Sequence, residues 1–290
     1  MSSNLPIVTS NILSVCTFNI LAPCYKRLSS EYDRESSHES LWQSRHSSII
    51  ELLQSLQIHL ICLQEFWFNE PSFLQLYQSY LSPKYSFHCV QRTHDLDDGL
   101  AILVDKNYFK VIDKYDLLLH DIGNRVGLLL NLEYDGECLL LINVHLTFPH
   151  NSFDRRLRLT QMKKFLELIN EYQTKNNLID KCSIIICGDL NSSFENDPVY
   201  QLLEKQFQSS YFVVHGKEVK VTHLTHRNEQ LGVDYIFYRS NMLQSISSEL
   251  IPRGCDEQSW NDTSGWTLSD HRAVLSTFQY KRNIDTKMDF

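Results

Sequence analysis

Polar and acidic residues recur where apolar, strand-like runs come to an end. Asn19 closes VCTFNIL, Glu65 closes LICLQEFW, His145 lies in LLINVHL, Asp189 and Asn191 lie in IIICGDLNSS, and Asp270 with His271 lies in LSDHRAV. Asp234 opens a further run of this kind, LGVDYIFY. Mixed α/β proteins place ligand groups at strand ends, because the sheet fixes the backbone while the tips face a crevice. Hard divalent cations such as Mg2+ take carboxylate and amide oxygens with water, and Glu65 and Asp270 supply the acids with Asn19 as a neutral oxygen. Asp189 and Asn191, one residue apart on a strand-end turn, can point at one water as base and orienting group. Charge gathering on the non-bridging oxygens of an attacked phosphate needs donors, which His145 and His271 offer. Asp234 is the candidate partner that fixes the His271 tautomer and keeps that ring protonated. No Ser, Thr or Cys nucleophile is required.

Each residue alone has a plain alternative. Asn19 can cap a turn, Glu65 can end a strand, and Gly188–Asp189 with Asn191 can be an ordinary strand-to-loop turn. His145 can be a satisfied, half-buried imidazole. The weight lies in their combination.

The elements that must position these groups alternate in kind. Strand-like runs cover Leu13–Leu21, His59–Leu63, Tyr85–Val90, Leu100–Val104, Phe109–Leu118, Arg125–Leu132, Cys138–Leu146, Cys182–Cys187, Val233–Tyr238 and Ala273–Phe278. Helical periodicity marks Leu41–Leu56, where Trp42, Ile49, Leu52, Leu53 and Leu56 form one stripe. Further helices are predicted from Pro71, over Phe153–Tyr172 with Leu159, Met162, Phe165, Leu166 and Ile169 inward, and over Pro198–Lys205. Strands dominate Asp95–Leu146, while the flanking halves mix strands with helices. This pattern predicts an α/β sandwich, two packed antiparallel or mixed sheets with helices outside, more than a simple doubly wound sheet. Ser29–Ser40 and Gly254–Gly265 read as loops, the first ten residues and the tail after Lys281 as frayed ends. One domain over residues 1–290, with its core at about 13–279, is expected.

The net charge of -8 argues against binding nucleic acid over a broad basic face, but leaves room for a cleft that engages a few phosphates. None of the eight cysteines forms a CxxC pair, so the usual zinc spacing is missing, and they read as reduced thiols. No apolar stretch spans a bilayer and the N-terminus lacks a signal-like pattern, which together predict a soluble, cytoplasmic protein.

The series FNIL, LQE, NVHL, GDLNS, VDYIF and SDH, in that order, resembles the endonuclease/exonuclease/phosphatase superfamily from about Ser14 to Phe278. Any one of these tetrapeptide-scale motifs is weak; six in order are specific. The resemblance implies a four-layer α/β sandwich and Mg2+-assisted in-line attack of water on phosphorus, with Mn2+ as an alternative ion. It implies Glu65 as main metal ligand with Asn19 and Asp270, and Asp189 orienting or deprotonating water. Asn191 would hold a phosphate oxygen, and Asp234–His271 with His145 would stabilise the transition state.

The opening FNILAPCYKR, the DDGLAILVDK element around Asp98 and the THRN…GVDYIF segment resemble the deadenylase-like branch and its uncharacterised plant and protist members. LQEFW, VDYIFYRS and LSDHRAVL also read like neutral sphingomyelinases. Substrate contacts are expected from Asp98, Arg158, His226 and Arg227. Arg155, Arg156, Arg158, Lys163 and Lys164 either lead a nucleic-acid backbone to the cleft or are a solvated helix face. In the stretch Thr222–Asn228, His223, His226 and Arg227 either read a phosphate or base near the site or belong to a surface hairpin. Of Phe66, Trp67 and Phe68, at least two are expected to pack beneath the metal site rather than stack on a base. The expected activity is a metal-dependent nuclease, a 3′-exonuclease or deadenylase on RNA or single-stranded nucleic acid. A sphingomyelinase-like or phosphoinositide-directed phosphodiesterase is the alternative. A binding module built on a decayed enzyme is disfavoured, because none of the acid, amide and imidazole positions is lost.

Overall fold

The structure, a computed structural model, describes residues 11–253 and 265–281. The expected frayed ends, Cys255 and nearly all of the predicted 254–265 loop therefore lie outside the described residues.

Two six-stranded mixed sheets face each other. The first contains β1 (Ile12–Asn19), β2 (Leu60–Trp67), β3 (Tyr85–Gln91), β4 (Asp98–Asp105), β13 (Leu243–Ile251) and β14 (Ala273–Tyr280), in the order β13-β14-β1-β2-β4-β3. The second contains β5 (Lys110–Leu119), β6 (Arg125–Tyr134), β7 (Glu137–His145), β8 (Ser183–Asp189), β9 (Gln208–Ser209) and β12 (Asp234–Arg239), in the order β5-β6-β7-β8-β12-β9. A short hairpin, β10 (His223–Leu224) with β11 (Gln230–Leu231), stands apart. Each large sheet has one parallel pair, β1 with β2 and β7 with β8, while its other pairs are antiparallel.

That parallel pairing decides where the polar strand ends fall. A parallel connection needs a crossover, usually a helix. Here α1 (Glu39–Ser55) bridges β1 to β2, and α3 (Ser152–Lys175) bridges β7 to β8. Both members of each pair thus end at one rim, which carries Asn19, Glu65, His145 and Asp189. Antiparallel β12 starts where β8 ends, with Asp234 paired to Asp189. Antiparallel β14 starts beside the end of β1, so the preceding Asp270 and His271 join the same rim.

The helices cover the outer faces. Trp42, Ile49, Ile50 and Leu53 of α1 pack with Phe73 and Tyr77 of α2 (Pro71–Leu81) against Phe18, Ile61 and Leu63. The α3 stripe Met162, Phe165 and Ile169 packs on the second sheet with Val199 and Leu203 of α4 (Pro198–Glu204). The proline-led starts of α2 and α4 are capped by the Glu70 and Asp197 side chains, which accept from Ser72 N and Val199 N. A further short helix, α5 (Ser210–His215), starts from the Ser209 cap. As expected, Phe66 and Trp67 are buried in the aromatic cluster beneath the rim, both against Phe73.

Between the sheets, directly under the rim, lies a polar bridge. Gln64 Nε2 donates to Thr17 Oγ1 and to Asn143 Oδ1 at 2.9 and 2.7 Å, while Asn143 Nδ2 donates to the carbonyls of Leu63 and Ala101. All of these side chains are buried. The expectation of reduced thiols fails at one place: Cys138 and Cys182 form a disulfide with a Cα separation of 4.7 Å. They sit one step before the paired Leu139 and Ser183 of the parallel strands, which sets them side by side. Spacing in sequence, 44 residues, gave no hint of this adjacency. Among the described residues, no helix is long and apolar enough to cross a membrane.

Candidate active site

Local backbone devices aim the side chains. Glu65 is the extra residue of a bulge in β2, where pairing jumps from Gln64–Leu100 to Phe66–Gly99, and its φ is 57°. A bulge re-aims a side chain, and here it turns Glu65 into the cleft, where Oε2 accepts from Ala22 N. Gly188, with φ at 142°, lies so close to β7 that a Cβ would meet Val144 O at 1.8 Å. Only glycine fits there, and the close approach carries Asp189 up beside His145, its register partner. Asn191 (φ 48°) turns back so that its backbone N–H donates to Asp189 Oδ1 at 2.8 Å and its Nδ2 to Leu146 O. Ser269 Oγ donates to Asn19 O and accepts from His271 N, which ties the SDH turn to the end of β1. Arg45 of α1 is buried; it clamps the carbonyls of Ile20, Leu21 and Leu268 and pairs with Glu35.

Asp189 is the centre of the arrangement. Its Oδ2 accepts from Asn19 Nδ2 at 3.0 Å and stands 3.4 Å from His145 Nε2 and 3.7 Å from His271 Nε2. The other His271 nitrogen, Nδ1, is 2.9 Å from Asp234 Oδ2. Asn19 Nδ2 also donates to Glu65 Oε1 at 3.1 Å, which places Glu65 and Asp189 on either side of one amide. Asn19 thus stands between the two acids, where the resemblance expects it. Its Oδ1 accepts from Leu21 N, so the nitrogen is what faces the acids.

The electrostatics separate the roles. Burial and the charge of Asp234 raise the Asp189 carboxyl, against the pull of His271, His223 and Asn19. Burial alone would neutralise His271, but Asp234 and Asp189 raise it to about 10, so it is an imidazolium at neutral pH. Burial and the positive charges of Arg125 and Arg92 hold His145 well below the usual histidine range, which makes it a neutral ring. Burial and the charges of Asp270 and Asp98 push Glu65 up to about 7. Asp270 goes the other way: burial would raise it, but His223 and His271 bring it down to about 2. Carboxylates crowded in this way fit a divalent cation, which would relieve their repulsion; among the described residues, the side chains close enough together to hold one are His223, Asp270 and His271, and Asp189, Asp234 and His271.

The four expected substrate contacts are placed differently from one another. Asp98 lies at the site but is fully buried, accepting from Tyr25 Oη at 2.7 Å and Arg92 Nη1 at 3.1 Å. It holds those side chains rather than reaching out. Arg158 is buried and ion-paired with Asp197 at 2.7 Å, and the charge of Asp189 reaches it. His226 and Arg227 are exposed at the tip of the β10–β11 hairpin and are not brought into the cluster. The same hairpin instead delivers His223, whose ring stacks on His271. Two arginines also went unnoticed in the sequence. Arg92 and Arg125 line a recess with Asp98 and His145, and Arg125 Nε is buried without a hydrogen-bond partner. The one available signal was that Arg125 opens a strand at the same rim.

Two packed mixed sheets flanked by helices, with acids, amides and imidazoles at one rim, define a class. Residues 16–271 match the endonuclease/exonuclease/phosphatase family model, and the chain belongs to that family. It is 37% identical over 222 residues to an uncharacterized calcium-binding protein of Arabidopsis thaliana, an alignment that covers 70% of this chain and 46% of the plant protein. The fold is similar to that of ANGEL2, a 2′,3′-cyclic phosphatase solved in complex with adenosine-2′,3′-vanadate, with a TM-score of 0.73, 18% identity and coverage of 93% and 96% of the two chains. It is likewise similar to the human Nocturnin catalytic domain with bound sulfate, with a TM-score of 0.71, 20% identity and coverage of 93% and 95%.

Proposed function

We propose that this protein is a Mg2+-dependent phosphodiester hydrolase, with Mn2+ as an alternative ion, that acts as a nuclease of the 3′-exonuclease or deadenylase kind on single-stranded RNA. The observation that carries this reading is the convergence on Asp189 Oδ2 of Asn19, His145 and His271 within 3.7 Å, beside the acids Glu65 and Asp270. Glu65 and Asp270 would hold the cation, which supplies Lewis-acid polarisation of a phosphate oxygen. Asp189, its basicity raised by burial, takes a proton from the attacking water. The His271 imidazolium, oriented by Asp234, places positive charge and an N–H where negative charge builds on the phosphate. Neutral His145 adds a directional hydrogen bond, and Asn191 fixes the Asp189 carboxylate through its backbone N–H.

A nucleic-acid substrate is favoured by two features beside this centre. Arg92 and Arg125 supply cations for a backbone phosphate next to His145. Phe148 packs on His150 with ring centroids 4.9 Å apart and meets His223 edge-on at 6.3 Å, which presents an aromatic edge to a base. Unpaired Cys16, Cys24, Cys62, Cys89 and Cys187 support an intracellular setting, with the Cys138–Cys182 link as the exception.

The test is hydrolysis by purified protein with Mg2+ or Mn2+ of poly(A) RNA, single- and double-stranded DNA, sphingomyelin vesicles and small nucleotide phosphates. The expected result is shortening of poly(A) that EDTA and Asp189→Ala both abolish. Turnover of sphingomyelin alone would sink the nuclease reading but keep the hydrolase. No metal- and Asp189-dependent turnover of any substrate would sink both.

A further inference from the structure

His223 has no part in the chemistry above, yet it is built into the centre. It pairs with His271 as an isolated antiparallel bridge. The two rings stack face to face, 4.0 Å between centroids and 10° from parallel. The residue is 6% exposed, and its Nδ1 is buried without a hydrogen-bond partner.

The geometry of its other nitrogen is informative. His223 Nε2 stands 3.6 Å from Asp270 Oδ2. That is beyond the roughly 2.7–3.2 Å of an N–H···O hydrogen bond. It is near the edge of about 3.4 Å between two ligands that each lie roughly 2.0–2.2 Å from one tetrahedral ion. In the stacked pair, His271 is committed through both nitrogens, to Asp234 at 2.9 Å and towards Asp189 at 3.7 Å. The lone pair that remains to be offered belongs to His223. Asp270 keeps 36% of its side chain exposed, so an ion can reach the pair from solvent.

We propose that His223 Nε2 and Asp270 Oδ2 ligate a divalent transition-metal ion, which gives this chain a nitrogen-containing metal position beside the all-oxygen ligands at Glu65. The ion is of the class that imidazole suits, such as Zn2+ or Fe2+, with Mn2+ as its paramagnetic probe, since Mg2+ favours oxygen and keeps its waters. This rests on the reading of the cleft as a divalent-metal site and adds to it the kind of ion the cleft prefers. A preference for such an ion over Mg2+ then comes from one histidine that the hairpin delivers.

The experiment uses Mn2+ as the probe on the whole chain, without substrate. Electron spin-echo modulation of bound Mn2+ is expected to show 14N coupling from a directly ligated imidazole. In His223→Asn, binding should weaken by on the order of tenfold or more and the 14N coupling should vanish, with a circular dichroism spectrum like that of the parent. Mn2+ bound without 14N coupling in the unaltered protein would overturn the proposal while leaving an all-oxygen site at Glu65 and Asp270 intact. So would coupling that persists in His223→Asn. If Mn2+ does not bind at all, the metal-dependent hydrolase itself falls with it. Absence of 14N coupling in the unaltered protein decides against the proposal even if this variant does not fold, and His223→Gln then serves as the second variant for assigning any coupling that is present.

Discussion

At the scale of single residues, charge state assigns the work. Burial would lower His271, yet Asp234 and Asp189 lift it to about 10, so the ring stays protonated below that pH and loses its charge as pH rises through it. With metal saturating, turnover should therefore fall on the alkaline side near that value. Asp234→Asn should draw this limb to lower pH and cut kcat by roughly 10²–10⁴-fold; a pH–rate profile of both proteins checks it, and an unmoved limb removes the pair from the mechanism. Glu65 behaves oppositely. Its carboxyl, raised by burial and then by Asp270 and Asp98 to about 7, is protonated below that pH and must lose the proton to bind a cation. Metal affinity should thus weaken as pH falls from 8 to 6, with proton uptake on metal removal, and calorimetry in two buffers would reveal it. Placement at strand ends made most of the cluster readable from sequence, because a strand that stops in an acid or amide leaves that group facing a crevice. Arg158 is no part of a solvated helix face, and its spacing shows why: it lies four residues before Met162, on the stripe that continues to Phe165 and Ile169, and so points inward. His223 is marked in the sequence only together with His226 and Arg227, since nothing in THLTHRN tells which of its histidines turns towards the rim.

At the scale of elements, close approaches and buried polar contacts set the aim of the rim. Gly188→Ala would drive a Cβ into Val144 O at 1.8 Å and displace β8 from β7. A loss of stability of about 3 kcal/mol is expected, the upper end of overpacking costs, measurable by urea unfolding; a neutral effect would show that the two strands can part without harm. Asn143→Leu removes the donor to Leu63 O and Ala101 O and one of the acceptors of Gln64, at a cost of about 1–3 kcal/mol. Because this bridge lies beneath Glu65, its loss should also lower turnover in protein that remains folded. The central strands were legible because they are apolar throughout; the run Leu100–Val104 falls within β4, all of whose residues are buried. The edge strand β13 was not, for LQSISSELI alternates irregularly between buried and exposed positions and has a register shift at Ser245–Ser247. Helix α5 escaped notice for a similar reason: six residues hold too little periodicity to register.

At the scale of the whole molecule, the proposed cation ligands Glu65 and Asp270 come from β2 and from the turn before β14 of the first sheet, so binding a metal should tie the late strand to the early ones. Divalent cation at about a hundred times its dissociation constant would add roughly 2.7 kcal/mol to stability. The thermal midpoint should rise with Mg2+ or Mn2+ and fall with EDTA, and the shift should be larger at pH 8 than at pH 6 because Glu65 is then unprotonated. A shift independent of pH would place the ion elsewhere. The order of strands has a further consequence, for how the chain is made. The chain leaves the first sheet after β4, builds the whole second sheet, and returns only for β13 and β14. On a ribosome, β5 to β8 can pair with sequence neighbours as they emerge, while one long side of β1 stays bare until Ala273–Tyr280 has been synthesised. Asp270 and His271 arrive in that same late stretch. A nascent chain thus carries a sticky open edge and no working cleft for most of its synthesis, and the last strand closes the one and completes the other in a single event.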